Sequence, residues 1–359
     1  MVRREFWRDR SVFVTGHTGF KGGWLATWLA DLGARVVGYA LTPNTTPSYF
    51  ERCALADRIT SHLGDITDAT ALASAVATAR PSVVFHLAAQ PLVRRSYTAP
   101  VKTFATNVLG TVHLLEAVRQ TASVEAVVVV TSDKCYENRE RPDGYREDEP
   151  LGGRDPYSAS KAAAELVTAA YRRSFFTRGP RVATARAGNV IGGGDWAGDR
   201  LVPDTMRSLV RGETVRVRNP AAVRPWQHVL EPLGGYLMLA QRLTESEAFA
   251  EAWNFGPREE DAVPVAALVE LLLARWDGGR WEAAPEEEPP HEAGLLRLDW
   301  TKASERLGWR PVLTLKEAAE FTVAWYRAAA VTTAARRLHE LSLEQIRQYE
   351  KRWQVAREP

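Results

Sequence analysis

Ser11-Val-Phe-Val-Thr15 runs directly into Gly16-His-Thr-Gly19-Phe-Lys-Gly22, and that turn into the apolar run from Trp24 to Leu32. A short apolar segment, a glycine-rich turn and a helix-length run thus follow in the order strand, turn, helix. Glycines here allow a tight turn and let the backbone approach a pyrophosphate, whose charge the free amides of the helix N-terminus meet. The spacing, Gly-x-x-Gly-x-x-Gly, departs from the usual dinucleotide fingerprint. Gly16, Thr18, Gly19, Phe20, Lys21 and Gly22 are the residues expected against a dinucleotide.

Outward from this turn, strand-like segments at 11–15, 34–41, 59–63, 83–87, 126–131 and 182–186 alternate with helical patterns. That alternation predicts an α/β fold, a Rossmann-type doubly wound parallel sheet. Ligands of such sheets bind beyond the carboxyl ends of the strands. Four groups fall there: Asp65-Ile66, Ala88-Ala89-Gln90, Thr131-Ser132-Asp133-Lys134 and Ala187-Gly188-Asn189.

Asp155-Pro-Tyr157-Ser-Ala-Ser-Lys161-Ala-Ala-Ala-Glu165 reads as the start of a helix, with Asp155 as N-cap and Pro156 as first helical residue. Tyr157 and Lys161, four residues apart, share one face of it. A phenol and an ammonium so placed can move a proton to or from a hydroxyl while a nicotinamide exchanges a hydride.

The chain has 359 residues, a formal net charge of +2 and two cysteines. This length suggests two domains or one with a large insertion, and interspersed charge gives no footprint for nucleic acid or membrane. No apolar run approaches a membrane span, and Met1-Val-Arg-Arg-Glu-Phe-Trp7 lacks a signal-peptide core. Cys53 and Cys135 have no partners at metal-ligand spacing, so a reducing compartment, the cytoplasm, is expected and no metal site. From Asn189 onward glycines and prolines interrupt the alternation, which suggests a smaller C-terminal α/β substrate-binding portion over 189–330, interleaved with the dinucleotide-binding domain of 1–188. Glu286-Glu-Glu-Pro-Pro290 reads as an exposed loop, and Ser342-Leu-Glu-Gln345 as a capping box opening the last helix of a 331–359 extension.

Four longer runs are more specific: Gly16 to Leu25, Thr131-Ser-Asp-Lys-Cys-Tyr-Glu-Asn138, Arg186-Ala-Gly-Asn-Val-Ile-Gly-Gly-Gly-Asp-Trp196 and Arg224-Pro-Trp-Gln-His-Val229. With these, nearly the whole chain resembles the extended short-chain dehydrogenase/reductase family and, within it, the nucleotide-sugar 4,6-dehydratases, most narrowly the branch acting on CDP-glucose. The resemblance implies NAD as a retained cofactor, a homodimer, and oxidation at sugar carbon 4, loss of water across carbons 5 and 6, and return of the hydride to carbon 6. It implies Tyr157 as base, lowered toward neutral pH by Lys161 and the nicotinamide. Ser132 would bond the carbon 4 oxygen, and Asp133 would act as the acid for the leaving hydroxyl. Lys134 stands where related dehydratases carry glutamate, either as the carbon 5 base or as a cation stabilising the enolate. Asp65, Ala89, Gln90 and Asn107 match positions near the cofactor, Asn107 reading equally as a structural residue that bends its helix. Arg224 and Asn189 match positions at the substrate pyrophosphate, with Arg200 and Arg218 as further cations.

The end of the second strand, Gly38-Tyr-Ala-Leu-Thr42, has neither an acid for a ribose hydroxyl nor an arginine for a 2′-phosphate, and Lys21 offers a charge for NADP. Two other functions share these residues: a 4-epimerase or reductase, which has no need of Asp133 and Lys134, and a dinucleotide-sensing protein without catalysis. Trp196 and Trp226 are candidates to stack on base or sugar, and His228 reads as structural.

Overall fold

In the computed structural model, which describes residues 2–285 and 295–355, the apolar segments form twelve strands. They are β1 (Ser11–Thr15), β2 (Arg35–Ala40), β3 (Thr60–Leu63), β4 (Val83–His86), β5 (Ala126–Val130), β6 (Arg181–Ala187), β7 (Asn189–Ile191), β8 (Val215–Val217), β9 (Val223–His228), β10 (Ala252–Phe255), β11 (Ala262–Pro264) and β12 (Trp281–Ala283). Seven of them make one parallel sheet in the order β10-β6-β5-β4-β1-β2-β3. The order reverses between β1 and β4, and there a doubly wound sheet opens its ligand crevice.

Alternation of side chains divides each central strand between two apolar cores. Val12, Val14, Val83, Phe85, Val128 and Ala185 face the first, against Trp24, Leu25 and Trp28 of the helix Phe20–Asp31. Phe13, Val84, Val127, Val129 and Val182 face the second, against Leu72, Leu114, Leu115 and Val118. Burial on both faces is why these strands read as continuous apolar runs.

β10 comes late in the chain and pairs with β6, so the second half completes the sheet of the first. The remaining strands form small sheets, β11-β9-β7 and β12-β8. The last described helix, Ala335–Val355, contains Ser342 in its interior, where Oγ donates to the Leu338 carbonyl at 2.9 Å. The sequence signature there is therefore not a helix start. Instead the capping box is Thr314 with Glu317, opening the helix Leu315–Val331. Glu286 to Pro290 lies outside the described residues.

The helix Pro156–Ser174 begins as its sequence suggests, with Asp155 Oδ1 accepting from the Ser158 amide at 2.9 Å. Its position on the sheet is fixed by Glu165, four residues beyond Lys161 on the same stripe. The Glu165 carboxylate accepts from Arg186 Nε and Nη2, both at 2.9 Å, and from Thr184 Oγ1 at 2.7 Å. Both partners of the ion pair are 3% exposed. Arg186 also donates to the Tyr136 hydroxyl at 2.6 Å and to the Glu147 carbonyl at 3.1 Å. Such a fully bonded buried pair is costly to break from one side, since the remaining charge stays buried. Arg186→Leu should lower unfolding free energy by about 3 to 5 kcal/mol, and adding Glu165→Leu should restore most of that loss. Urea denaturation of the single and double variants measures both, and equal stability of the two would contradict the role given to the pair.

Candidate active site and dinucleotide crevice

Two adjoining cavities open at the carboxyl ends of the strands. The smaller, about 310 Å³, is lined by Gly16, Thr18, Gly19, Phe20, Lys21 and Gly22, by Asp65 and Ile66, by Ala88 and Ala89, and by Ser132, Tyr157 and Lys161. The larger, about 740 Å³, is lined by Ser132, Asp133, Lys134 and Tyr157 and by Asn189, Arg200, Arg218 and Arg224. Ser132, Tyr157 and Arg200 belong to both walls. A ligand in one cavity therefore meets a ligand in the other at these side chains.

The glycine turn fits a dinucleotide for steric reasons. Gly16 has φ +81°, and a Cβ there would lie 2.7 Å from the Ala88 amide nitrogen; a Cβ on Gly22 would lie 2.1 Å from the Gly16 carbonyl oxygen. Only the hydrogen of glycine keeps the turn this close to the next strand. Thr15 Oγ1 accepts from the Leu87 and Ala88 amides, both at 3.1 Å, and pairs with His86 Nδ1 at 2.7 Å, which fixes the two strand ends at the crevice. Thr18 Oγ1 donates to the Leu41 carbonyl at 2.8 Å and ties the turn to the end of β2.

Lys21 does not point along this rim. Its amine donates to the Tyr236 hydroxyl at 3.2 Å, and burial together with the charges of Lys161 and Arg200 pushes it down to about 7. That placement removes it as a partner for a 2′-phosphate beyond β2. The wall there is Leu41, Thr42, Asn44 and Thr45, without a cation.

Gln90 and Asn107 are brought together behind the crevice and do not line the smaller cavity. Asn107 Oδ1 accepts from the Gln90 amide at 2.8 Å, and its Nδ2 donates to the Gln90 carbonyl at 3.1 Å and to Ser160 Oγ at 2.8 Å. Ser160 Oγ in turn donates to the Tyr157 carbonyl at 2.7 Å. The local chain forms a π-helical turn, Ala105–Leu109, that turns Asn107 inward. Asn107 thus links the loop after β4 to the helix of Tyr157.

At the shared wall, Ser132 caps the short turn Asp133–Cys135. Its hydroxyl donates to Asp133 Oδ1 at 2.9 Å and accepts from the Lys134 amide at 3.2 Å. Ser132, Asp133, Tyr157 and Lys161 are buried, and Lys134 is half-buried. Burial pushes the Tyr157 phenol up to about 12, opposed by a hydrogen bond with Ser132 and by the charge of Arg200. Lys161 follows four residues on along the same helix. Its amine is drawn to the Val130 carbonyl at 3.3 Å and is itself pushed down to about 8 by burial, against the pull of Glu165.

Among the expected phosphate partners, Arg200 is held by Asp195 at 2.9 Å, Arg218 by Asp199 at 3.1 Å, and Arg224 Nη1 donates to the Val223 carbonyl at 3.0 Å. Trp226 is buried and lines the larger cavity, while Trp196 lines the smaller. His228 is fully buried between Trp24 and Phe321, and burial pushes it down to about 3, so it is a neutral packing residue. The sequence reading missed Asp195, which orients Arg200, and the pair Glu165 and Arg186. For Glu165 a signal was available, since it continues the four-residue stripe of Tyr157 and Lys161.

Residues 13–322 match the family model described as GDP-mannose 4,6 dehydratase. The chain is 54% identical over 336 residues to the CDP-glucose 4,6-dehydratase of Salmonella typhimurium, covering 91% of this chain and 93% of that one. Among solved structures it is similar to a dTDP-glucose 4,6-dehydratase of Streptomyces venezuelae with NAD bound, at 27% identity and TM-score 0.73 over 88% of this chain and 97% of that one. A Thermotoga maritima UDP-glucose 4-epimerase, at 23% identity and TM-score 0.76 over 89% of this chain and 99% of that one, shares the fold.

Proposed function

Because this chain belongs to the GDP-mannose 4,6 dehydratase family, we propose that it is an NAD-dependent CDP-glucose 4,6-dehydratase, a hydro-lyase yielding CDP-4-keto-6-deoxyglucose. The observation that carries this reading is the convergence of Ser132, Asp133, Lys134 and Tyr157 on one cavity wall, two of them shared with the dinucleotide crevice. A 4-epimerase has use for Tyr157, Lys161 and Ser132 alone. The identity to the Salmonella enzyme supports CDP-glucose as the substrate. NAD is favoured over NADP because Lys21 is engaged with Tyr236 and the wall beyond β2 has no cation.

When bound, NAD would supply the acceptor for the hydride of carbon 4 and its donor to carbon 6. Tyr157 takes the carbon 4 hydroxyl proton, and Ser132 donates to the same oxygen. Ser132 and Arg200 favour phenolate, opposing the effect of burial. Lys161, anchored at Val130, lines the dinucleotide cavity and would hold the ribose of the cofactor. Asp133 protonates the leaving hydroxyl of carbon 6. Lys134 removes the carbon 5 proton, made acidic by the new ketone. Asn189, Arg200, Arg218 and Arg224 hold the pyrophosphate, so sugar nucleotide binding falls mainly to residues 189–330 and cofactor binding to residues 1–188.

We further propose a homodimer, joined through helices whose outer face carries Val101, Phe104, Leu109 and Leu166, 82%, 38%, 52% and 61% exposed in the single chain. Apolar side chains grouped on adjacent helices mark an association surface. No helix among the described residues is long and apolar enough to cross a membrane, and both cysteines are buried and unpaired, which supports the cytoplasm.

The function is tested by label transfer. CDP-glucose carrying deuterium at carbon 4 should give product with the label at carbon 6, undiluted by added NADH; label returned to carbon 4 would identify an epimerase, and unmoved label a binding protein. Lys134→Ala should oxidise carbon 4 yet stall before elimination, so that absorbance near 340 nm rises on mixing with substrate, with turnover at least a hundredfold below wild type. Normal turnover would remove Lys134 from the mechanism. Leu166→Glu should halve the mass found by light scattering, and an unchanged mass would place the interface elsewhere.

A further inference from the structure

We propose that Asp204 reads the nucleotide base: its carboxylate accepts a hydrogen bond from the exocyclic amine of cytosine, and so makes the larger cavity prefer cytidine to uridine diphosphate sugars. The proposal rests on the substrate reading above and extends it to the end of the cavity remote from Tyr157.

Connectivity orders that cavity. Gly188 lies against Asp133, close enough that a Cβ would come within 2.9 Å of Oδ2. The next residue, Asn189, is paired across the small sheet with Trp226. From Trp226, β9 runs back through Arg224 toward Ala222, a span of about 13 Å at the rise of an extended strand. That length accommodates a pyrophosphate and a ribose. Beyond it the Ala222 amide bonds the Asn219 carbonyl at 3.4 Å, and the adjacent Arg218 is bound to Asp199 at 3.1 Å. The segment that follows Asp199 contributes Val202 and Asp204 to the lining of this cavity, together with Val217 and Val265. A sugar at Asp133 with phosphates at Arg224 therefore puts the base among these four residues.

Apolar Val202, Val217 and Val265 suit the faces of a pyrimidine ring and do not distinguish one pyrimidine from another. Asp204 does. An ionised carboxylate only accepts hydrogen bonds, and cytosine presents an amine where uracil presents a carbonyl oxygen. The first is bonded and the second repelled. Asp204 is also held in place: Arg207 hydrogen-bonds to Oδ1, and is itself fixed by the carbonyls of Trp196 at 2.9 Å and Ala197 at 3.2 Å. Asp199, the neighbouring carboxylate in this lining, is likewise bound by an arginine, Arg218, and serves as the control.

Calorimetric titration with CDP and with UDP, using wild type, Asp204→Asn and Asp199→Asn, tests the assignment. Wild type should bind CDP at least tenfold more tightly than UDP, as one charge-assisted hydrogen bond allows. Asp204→Asn should bring the two within about twofold by weakening CDP, while Asp199→Asn keeps the ratio. In turnover, Asp204→Asn should raise KM for CDP-glucose about tenfold and keep kcat within threefold. A preserved CDP preference in folded Asp204→Asn overturns the proposal, and so does its collapse in both variants alike. If Asp204→Asn does not fold, Asp204→Ser carries the same expectation and the same refutation. Failure of the function itself reads differently: wild type would then form no 4-keto-6-deoxy product from CDP-glucose, whatever the nucleotide affinities.

Discussion

The buried ion pair between Glu165 and Arg186 is the constraint on which the active site depends. Glu165 lies on the helix that carries Tyr157 and Lys161, and Arg186 lies in β6, next to β5, which leads into Ser132. Thr131, just past β5, and Thr184 in β6 add hydroxyl donors to the same carboxylate. One charged contact therefore sets the height and rotation of the helix against the strand ends. Helix packing alone leaves freedom to slide, since apolar contacts are non-directional. A directional, fully bonded pair removes that freedom.

The electrostatics of the shared wall follow from its dryness. Lys21, Lys161 and Arg200 are three cations around one buried phenol and one carboxylate, and the two lysines are pushed down to about 7 and about 8. Their charge in the unliganded chain is thus sensitive to small changes near neutrality, in the sense that unfolding takes up protons between those values and the free lysine range. Folded stability from these two amines accordingly increases as pH rises through that window.

Much of this was legible in the residues. The strand-turn-helix order at Ser11 to Leu32 and the alternation through residue 186 specify the parallel sheet because both faces of each central strand are apolar and local. Asp155 and Pro156 announce the helix start by their own side-chain chemistry. Less was legible where long-range contacts decide. Lys21 sits in the glycine turn, yet its direction is set by Tyr236, remote in sequence. Asn107 reads equally as a cofactor contact and as a residue that bends its helix, and its partners Gln90 and Ser160 converge only in the folded chain. Ser342 has the spacing of a cap, whereas the preceding turn is already helical and its hydroxyl bonds backward to Leu338.

The pairing of β10 with β6 has a consequence for how the chain reaches its native state. Ribosomes deliver residues at roughly 5 to 20 per second, so Arg181 to Ala187 emerges on the order of several seconds before Ala252 to Phe255. Through that interval β6 is an open sheet edge, apolar along most of its length and able to template a foreign strand. Arg181, Thr184 and Arg186 are its polar positions, and Arg186 turns inward to Glu165 rather than guarding the edge. The sheet is therefore closed by a segment synthesised late, and nascent chains halted before residue 252 expose a surface prone to aggregation.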